Sequence, residues 1–354
     1  MQALVYHGPN DLRVEDRPSP EPGHGEAVLR VSACGICGTD LRIVAGGHRA
    51  YPSGTVRIPG HEVAGTILTG GDGIDLKEGQ PAFIAPNVGC GRCAQCRAGR
   101  VNLCVRPEAI GISMDGGLAD QLLLPANLVA QGNVLPVPET ADLRAVALAE
   151  PLACVLRGSE ACHIRVGDLV VIVGAGPVGL MHLLVAKLAE PSAVIVSQRS
   201  EERRRLALEY GADEAVGPDD LAETVMDVSD GRGADVVIVA APAAAAQRQA
   251  LEIAAPAARI NFFGGLPRDR SIVELDTNLI HYKELVVKGT TANTTEDCRR
   301  ALELVLGGSI DTTALISRSY GLAEADEGLA AAGSGEALKV VIEPEEPCEL
   351  PERQ

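Results

Sequence analysis

The sequence predicts an α/β protein in which a β-rich region precedes a doubly wound parallel sheet. The first part of the chain is rich in Gly and Pro and contains short alternating stretches, in one of which Ala27, Leu29 and Val31 lie on the same face. From about Leu169 the pattern changes to apolar strand-like runs separated by helical stretches. Such alternation is typical of a parallel sheet with helices on both faces.

Five apolar runs predict the strands of this sheet. Helical periodicity separates several of them, most clearly over 178–189 and 201–210. A helix over 296–305, with Thr295 as its N-cap, and a last strand over 339–342 complete the predicted elements. The five runs are 169–173, 193–196, 235–240, 259–263 and 285–288.

Composition argues against several classes of partner. A net charge of −17 repels phosphate backbones and anionic membranes, and the absence of Trp, with three Phe and five Tyr, leaves few platforms for base stacking. No apolar run reaches the roughly 18 residues of a membrane span, and charges come too early for a secretory signal. We therefore expect a cytoplasmic protein that binds neither nucleic acid nor membranes.

A Gly-x-Gly-x-x-Gly loop follows the first apolar run and opens a helix. Gly174 permits the tight turn, Gly176 lets the backbone approach a pyrophosphate, and Gly179 lets the helix pack closely on the strand. Pro177 suits the first helical position, and the N–H groups from Val178 onward are available to phosphates. The alternative is a glycine-rich turn without a ligand, but the strand before it and the helix after it favour a Rossmann-type dinucleotide site.

The residues after the second strand of the sheet favour NADP(H) over NAD(H). An NAD enzyme usually carries Asp or Glu at this strand end, whereas here Ser197 and Gln198 are followed by Arg199. A guanidinium attracts the 2′-phosphate that a carboxylate would repel, and Arg203 lies one turn further on. The alternative is that these arginines only solvate a helix and pair with acids such as Glu201.

Four cysteines within fifteen residues form the sharpest metal signal in the chain. They are Cys90, Cys93, Cys96 and Cys104. Four thiolates suit one tetrahedral Zn²⁺ in a closed, structural site. Disulfides or free thiols are the alternative in another compartment, and an iron–sulfur cluster usually shows other spacings.

A second, dispersed set of ligand-type residues has a different composition. Cys37 begins a Cys-Gly-Thr-Asp segment, His61 and Glu62 are adjacent, and Glu150 precedes a Pro-Leu pair. One thiolate, one imidazole and a carboxylate suit a catalytic zinc with an open position. Each piece alone occurs by chance, so the interpretation depends on the whole set.

These motifs, taken in order, resemble the zinc-containing medium-chain dehydrogenases. The run 60–65, with Gly71 downstream, resembles the signature of that family. The Cys37 segment, the four cysteines and the glycine loop follow in the family's order. Glu62 and the Glu-Pro-Leu at Glu150 resemble the polyol (sorbitol-type) and threonine dehydrogenase branch, and the likeness covers nearly the whole chain.

The resemblance implies a division into two domains. Residues 1–152 would form a GroES-like catalytic domain to which 291–344 return, and 153–290 would form the Rossmann domain. The Glu/Pro-rich residues 345–354 are expected to be a disordered tail. A homodimer or homotetramer is also implied.

The resemblance further assigns metal ligands. Cys37 and His61 would hold the catalytic zinc, with Glu62 a direct or water-bridged third ligand. Glu150 would be an exchangeable ligand that approaches the metal as water or substrate leaves. The four closely spaced cysteines would hold a second, structural zinc.

A proton relay follows from the same resemblance. Thr39 would hydrogen-bond the substrate hydroxyl and begin the transfer of its proton to solvent. Many relatives carry His three residues later, where this chain has Arg42, so His48 is a substitute candidate, with an ordinary loop histidine as the alternative. Arg49 and Arg57 either bind an acidic substrate group or pair with surface acids.

The expected activity is therefore a zinc-dependent transfer of hydride between NADP(H) and a secondary alcohol or ketone of a polyol, sugar or cyclitol. The first alternative is a threonine-type or other small-alcohol dehydrogenase that uses NAD. The second is a non-catalytic NADP-binding protein with structural zinc only. A zinc-free reductase on the same fold would lack Cys37, His61 and the four cysteines.

Overall fold

The computed structural model describes residues 1–73 and 75–344, which divide into two compact units. One unit comprises Met1–Ala153 together with the chain from Ala292 onward, and the other comprises Cys154–Thr291. None of the described helices is long and apolar enough to cross a bilayer. The disorder predicted for 345–354 lies outside the described residues.

The described residues form seventeen strands and twelve α-helices. The strands are β1 (Gln2–Gly8), β2 (Asp11–Asp16), β3 (Ala27–Gly35), β4 (Glu62–Gly70), β5 (Pro81–Ile84), β6 (Asn87–Val88), β7 (Glu108–Ala109), β8 (Gln121–Leu124), β9 (Val134–Pro136), β10 (Leu169–Val173), β11 (Ala193–Ser197), β12 (Glu214–Val216), β13 (Ala234–Val239), β14 (Ala254–Phe262), β15 (Val286–Gly289), β16 (Ile316–Tyr320) and β17 (Lys339–Ile342). The helices are α1 (Gly38–Val44), α2 (Ala94–Arg97), α3 (Ala126–Ala130), α4 (Leu143–Ala147), α5 (Ala149–Ala161), α6 (Pro177–Lys187), α7 (Glu201–Glu209), α8 (Leu221–Val228), α9 (Ala244–Glu252), α10 (Thr277–Tyr282), α11 (Thr295–Leu306) and α12 (Ala325–Ser334).

A mostly antiparallel sheet is the framework of the first unit. Its order is β16-β17-β3-β4-β5-β9, with β8 also paired to β3, and only β16 and β17 run parallel. The alternation predicted in β3 is present, because Ala27, Leu29 and Val31 are fully buried in the core of this unit. Because β17 pairs with β3, the last described strand lies beside a strand from the N-terminal part of the chain.

A six-stranded, wholly parallel sheet is the framework of the second unit. Its order is β12-β11-β10-β13-β14-β15, so β10 is central and the chain order reverses beside it. All five residues of β10 are buried, as expected for a strand covered on both faces. The carboxyl end of β10 is thus the switch point at which doubly wound sheets bind ligands, and the fold class predicted from the sequence is confirmed.

Two local details differ from the predictions. Thr294, not Thr295, caps α11: its Oγ1 accepts the Asp297 N–H, and the Asp297 carboxylate accepts the Thr294 N–H at 2.8 Å. The reciprocal cap requires an acid three residues after the cap, and the residue three after Thr295 is Cys298. The edge strand β12 was not predicted, because three residues beginning with an exposed glutamate carry no readable alternation.

Candidate active site

Three potential metal ligands converge in the first unit: Cys37, His61 and Glu62, hereafter the Cys37 cluster. Their ligand atoms all lie within 4.8 Å of one another. Cys37 is the N-cap of α1, and Glu62 is the first residue of β4, paired with Gly35 on β3. A Cβ at Gly35 would lie 2.0 Å from Oε2 of Glu62, so a glycine there leaves the space that the carboxylate occupies.

Asp40 supports this cluster from within α1. The carboxylate is fully buried and accepts the N–H groups of Cys37 at 2.9 Å and Gly60 at 3.3 Å. Its Oδ1 lies 3.6 Å from Nδ1 of His61, which has no hydrogen-bond partner in the structure. Burial opposes ionisation of Asp40, but His61 holds its pKa below the usual value. Asp40 therefore orients the imidazole and favours its cationic or metal-bound form.

Lys339, at the start of β17, forms a buried ion pair with Glu62. Its Nζ lies 2.7 Å from Oε1 and 2.6 Å from Oε2 of Glu62, and it donates to the Ile36 carbonyl at 2.9 Å. Burial lowers the pKa of Lys339, but Glu62 and Cys37 raise it above its usual value. The Lys339 ammonium thus neutralises the Glu62 carboxylate, which also remains available to a metal.

Glu150 lies near the Cys37 cluster without belonging to it. The structure brings Cys37, His61 and Glu62 together, but the set of described ligand atoms within 4.8 Å of one another does not include Glu150. Asn293 donates to Oε1 of Glu150 at 2.6 Å. Burial raises the pKa of Glu150 to about 6.

The residues predicted for proton relay lie on α1 and the loop that follows. Arg42 donates from Nη2 to Oγ1 of Thr39 at 3.0 Å, so the threonine hydroxyl pairs with the residue that replaces the family's histidine. His48 accepts the Ala50 N–H at Nδ1, at 3.3 Å. Burial lowers the pKa of His48, and the charges of Arg42 and Arg49 lower it further.

The arginines beside these residues form no ion pair with an acid in the described part of the chain. Arg42, Arg49 and Arg57 take part in none of the ion pairs of the described residues. Arg57 instead donates to the carbonyls of Ala50 at 3.0 Å and Ile112 at 2.6 Å. Of the two alternatives for Arg49 and Arg57, pairing with surface acids is therefore not found among the described residues, and Arg57 bonds backbone carbonyls instead.

The four closely spaced cysteines also converge, in a segment hereafter called the cysteine lobe (residues 90–104). Their sulfurs all lie within 4.8 Å of one another, with Cys93 Sγ at 3.5 Å from Cys96 Sγ and 3.9 Å from Cys104 Sγ. Sulfurs about 2.3 Å from a tetrahedral zinc would be separated by roughly 3.8 Å. Backbone N–H groups of Cys96 and Val105 lower the pKa of the Cys93 thiol to about 6. The donor set fits a structural zinc.

The glycine loop has the geometry that the dinucleotide motif requires. Gly174 has φ of +111° and donates to the Ser197 carbonyl at 2.8 Å. A Cβ at Gly179 would lie 1.8 Å from the Gly174 oxygen, so only glycine allows α6 to approach β10 so closely. Pro177 begins α6 with Gly176 as N-cap, Val178 lies in its first turn, and a Cβ at Gly176 would meet nothing within 4 Å. Open space therefore faces the N-terminus of α6.

At the end of β11, the Ser197 hydroxyl and the Arg199 guanidinium have no partner among the described residues. Oγ of Ser197 is buried and makes no hydrogen bond in the structure. Gln198 accepts the Arg199 N–H at 2.8 Å, while the exposed Arg199 guanidinium has no ion pair or hydrogen bond among the described residues. Arg203 is half-buried on α7, where its N–H bonds Oγ of Ser200 at 3.4 Å. The Ser197 hydroxyl and the Arg199 guanidinium, neither of which has a partner among the described residues, are suited to bind a dinucleotide.

Comparisons with known proteins agree with this geometry. Residues 23–139 match the family described as "Alcohol dehydrogenase GroES-like domain", and residues 177–307 match "Zinc-binding dehydrogenase". A sorbitol dehydrogenase of Halalkalibacterium halodurans is 31% identical over 361 residues, with 97% of this chain and 99% of the relative covered. The chain belongs to the zinc-containing medium-chain dehydrogenase family.

Two further likenesses place the dehydrogenase more narrowly. An L-threonine 3-dehydrogenase of Thermococcus kodakarensis is 34% identical over 336 residues, covering 92% of each chain. A protein from Sinorhizobium meliloti, solved with NADP bound, has a TM-score of 0.89 at 35% identity, covering 97% of this chain and 99% of the other. The predicted polyol and threonine dehydrogenase-like branch is confirmed. The protein is an oxidoreductase of the zinc-type alcohol and polyol dehydrogenases.

Three supporting residues of this dehydrogenase were not predicted from its sequence. Asp40 is the last residue of the Cys-Gly-Thr-Asp segment. A carboxylate so close to a ligand cysteine indicates a residue that supports the metal site. Lys339 is a charge at the start of an otherwise apolar strand, which is a weaker signal. Asn293 precedes a helix among other polar residues, and nothing in its neighbourhood distinguishes it.

Proposed function

We propose that this dehydrogenase interconverts a secondary alcohol and a ketone of a polyol, sugar or cyclitol, and uses NADP(H) in preference to NAD(H). The observation that carries the proposal is the Cys37 cluster, which combines a half-buried thiol with a buried imidazole and a buried carboxylate. Thr39 lies on α1, two residues after the cluster's cysteine. One relative is named a sorbitol dehydrogenase, and sorbitol is a polyol.

The chain's own residues would hold and orient the metal. Cys37 and His61 would bind zinc, Glu62 would be a direct or water-bridged third ligand, and Asp40 would fix the imidazole so that its ring presents one nitrogen. When bound, zinc supplies Lewis acidity that lowers the pKa of an alcohol, and the nicotinamide dinucleotide supplies the hydride chemistry. Burial of His61 and Glu62 keeps bulk water from this side of the site.

Proton transfer starts at Thr39 in this proposal. Its hydroxyl both donates and accepts, so it can take a proton from the substrate hydroxyl while it releases its own. Arg42, its observed partner, cannot accept that proton because a guanidinium stays charged at neutral pH. His48 is held neutral near pH 7 by its lowered pKa and is the acceptor that we propose.

The preference for NADP(H) is supported at the end of β11. No acid occupies the strand end, and the unpaired guanidinium of Arg199 suits a 2′-phosphate. The S. meliloti protein that binds NADP is 35% identical to this chain. Gly174, Gly176 and Gly179 would receive the pyrophosphate at the N-terminus of α6.

A threonine-type activity with NAD is the second candidate. It is favoured by the T. kodakarensis L-threonine 3-dehydrogenase, whose identity of 34% exceeds the 31% of the sorbitol dehydrogenase. A non-catalytic role is not favoured by any feature of the Cys37 cluster.

One assay separates these candidates. Zinc-loaded protein is incubated with NADP⁺ or NAD⁺ and a panel of polyols, sugars, cyclitols and threonine, and absorbance of the reduced nicotinamide is followed. We expect turnover of a polyol-class substrate, faster with NADP⁺. Arg199→Ala should lower kcat/KM for NADP⁺ about tenfold and leave that for NAD⁺ unchanged. Turnover of threonine alone, with NAD⁺, would replace the proposal by the second candidate.

A matched control for Arg199 lies in the same segment. Arg205 is also exposed and pairs with Glu209 at 3.5 Å on α7. Arg205→Ala removes a charge of the same sign close by, so an equal loss with NADP⁺ would show a general charge effect and contradict the role of Arg199.

A homodimer or homotetramer is part of the same proposal. β15 is the last strand of the parallel sheet, and the apolar side chains of Ile272 and Tyr282 are 94% and 79% exposed. An open strand edge and exposed apolar side chains favour association. Sedimentation equilibrium measures the mass directly, and a 36.8 kDa species at micromolar concentration would contradict this part.

A further inference from the structure

Asn293 is a fully buried amide that contacts Glu150, the proposed ligand of the catalytic zinc that lies outside the Cys37 cluster. Its Nδ2 donates to Oε1 of Glu150 at 2.6 Å and to the Glu150 carbonyl at 3.1 Å. A hydrogen bond from a buried amide to a carboxylate is stronger than a neutral pair. The Glu150 side chain is therefore held where it lies by a residue more than a hundred positions later in the chain.

The orientation of this amide is itself determined by its neighbours. Asn87 donates from Nδ2 to Oδ1 of Asn293 at 2.7 Å and to the Asn293 carbonyl at 3.2 Å. The Cys298 thiol also points at Oδ1, at 3.4 Å. Because two donors face Oδ1, the amide must present Nδ2 to Glu150. Asn87 and Asn293 thus form a two-amide chain that ends on the carboxylate.

The position of Glu150 matters because its carboxylate could move to the Cys37 cluster. Its charge acts on His61 and Glu62, yet its carboxylate is not within the 4.8 Å set that those residues form with Cys37. Movement toward the cluster would break the 2.6 Å bond, and the strength of this charge-assisted hydrogen bond opposes that movement. Any metal in the cluster therefore competes with Asn293 for the same carboxylate.

We propose that Asn293 is a positioning residue that restrains Glu150 outside the Cys37 cluster, so that the carboxylate ligates the metal only when this hydrogen bond breaks. The proposal rests on the proposed zinc site and adds the device that keeps one ligand position open. Asn87 acts in the same direction, one step removed, because it orients the amide.

Metal release from zinc-loaded full-length protein tests the proposal without any substrate. A chromophoric chelator reports the rate of zinc release. The zinc of the Cys37 cluster is identified as the equivalent that is missing from the Cys37→Ser variant. In Asn293→Ala, Glu150 is freed to become an additional ligand, and release should slow about tenfold. Glu150→Ala should release zinc at the wild-type rate, because the carboxylate does not ligate at rest.

The double variant decides between positioning and general structural support. If Asn293 acts only through Glu150, Asn293→Ala has no effect on release in the Glu150→Ala background. The same slowing in both backgrounds, no slowing in the single variant, or faster release would each overturn the proposal. A Co²⁺-substituted sample gives a second readout, since a new ligand should shift the visible bands in Asn293→Ala but not in the double variant.

Two further variants keep the test valid if Asn293→Ala folds poorly. Asn87→Ala leaves Asn293 in place and should slow release in the same direction by a smaller factor. Asn261, buried in the second unit and bonded to the Gly158 carbonyl at 2.9 Å, provides the control for loss of a buried amide. Asn261→Ala should not change the release rate. Absence of turnover with every alcohol would contradict the proposed substrate class but would not change the interpretation of the zinc-release rates.

Discussion

The two candidate zinc centres of this dehydrogenase are assembled in opposite ways. The cysteine lobe draws its four sulfurs from fifteen consecutive residues, and backbone N–H groups in or next to this segment bond the sulfurs of Cys93 and Cys104. The Cys37 cluster takes its ligands from the N-cap of α1 and from the start of β4 and the residue before it, and Lys339 from the last described strand pairs with Glu62. A closed metal site can be encoded locally, whereas a site with an open position needs the whole unit to hold its ligands apart.

Loss of a ligand in the Cys37 cluster should have the largest effect on activity. We expect Cys37→Ser to lower kcat/KM by at least about 10⁴-fold, because the Lewis acid contributes several kcal/mol to the reaction. Zinc content should fall by one equivalent per chain, with little change in thermal midpoint. Cys162→Ser, a buried cysteine of the second unit, is the control. An active variant with unchanged zinc content would refute the assignment.

Loss of a ligand in the cysteine lobe should act on stability instead. Cys93→Ser removes one of four thiolates from a closed site, and we expect the free energy of unfolding to fall by about 4 kcal/mol. Urea denaturation and metal analysis measure both changes. If this variant kept its stability and lost only activity, the proposed contrast between the two centres would fail.

Lys339→Met should show whether the Cys37 cluster depends on its buried ion pair. Without the ammonium, Glu62 is an unpaired buried carboxylate, and metal-free protein should lose about 3 kcal/mol of unfolding free energy. Bound zinc should restore part of this loss, because a cation again faces the carboxylate. Lys187→Met is the matched control: its exposed pair with Asp213, at 3.1 Å, should contribute little. Equal losses in the two variants would contradict the role of Lys339.

Asp40→Asn should give a smaller effect on the same cluster. The amide still accepts the Cys37 N–H but carries no charge toward His61, so zinc affinity should fall about 10- to 100-fold. Competition with a chelator measures it. Asp115 also accepts a backbone N–H, that of Ile58 at 3.0 Å, and Asp115→Asn should leave zinc affinity unchanged. A similar fall in both variants would indicate general loss of stability.

Local patterns predicted much of this molecule. The apolar run of β10 and the glycines that follow encode the switch point of the parallel sheet, because strand burial and the turn depend on consecutive residues. Cysteine spacing likewise predicted the convergence of the lobe. The assignment of zinc ligands and relay residues stays a prediction, since it rests on resemblance and on the geometry of Cys37, His61 and Glu62.

The contacts that control the Cys37 cluster could not be read from local patterns. Lys339 reaches Glu62, and Asn293 reaches Glu150, only because the chain returns to the first unit after residue 291. The residues next to Lys339 and Asn293 in the sequence do not indicate that these side chains contact Glu62 and Glu150. The position of Glu150 outside the cluster is likewise a result of long-range pairing, which no spacing rule within a segment describes.

The return of the chain to the first unit also has a consequence for the order of biosynthesis. Cys104 leaves the ribosome more than two hundred residues before Lys339. At about 5–20 residues per second, the nascent lobe has all its sulfurs for roughly 10–50 s before the partner of Glu62 exists. Zinc in short supply would then be captured first by the lobe, and newly made chains would accumulate folded but inactive.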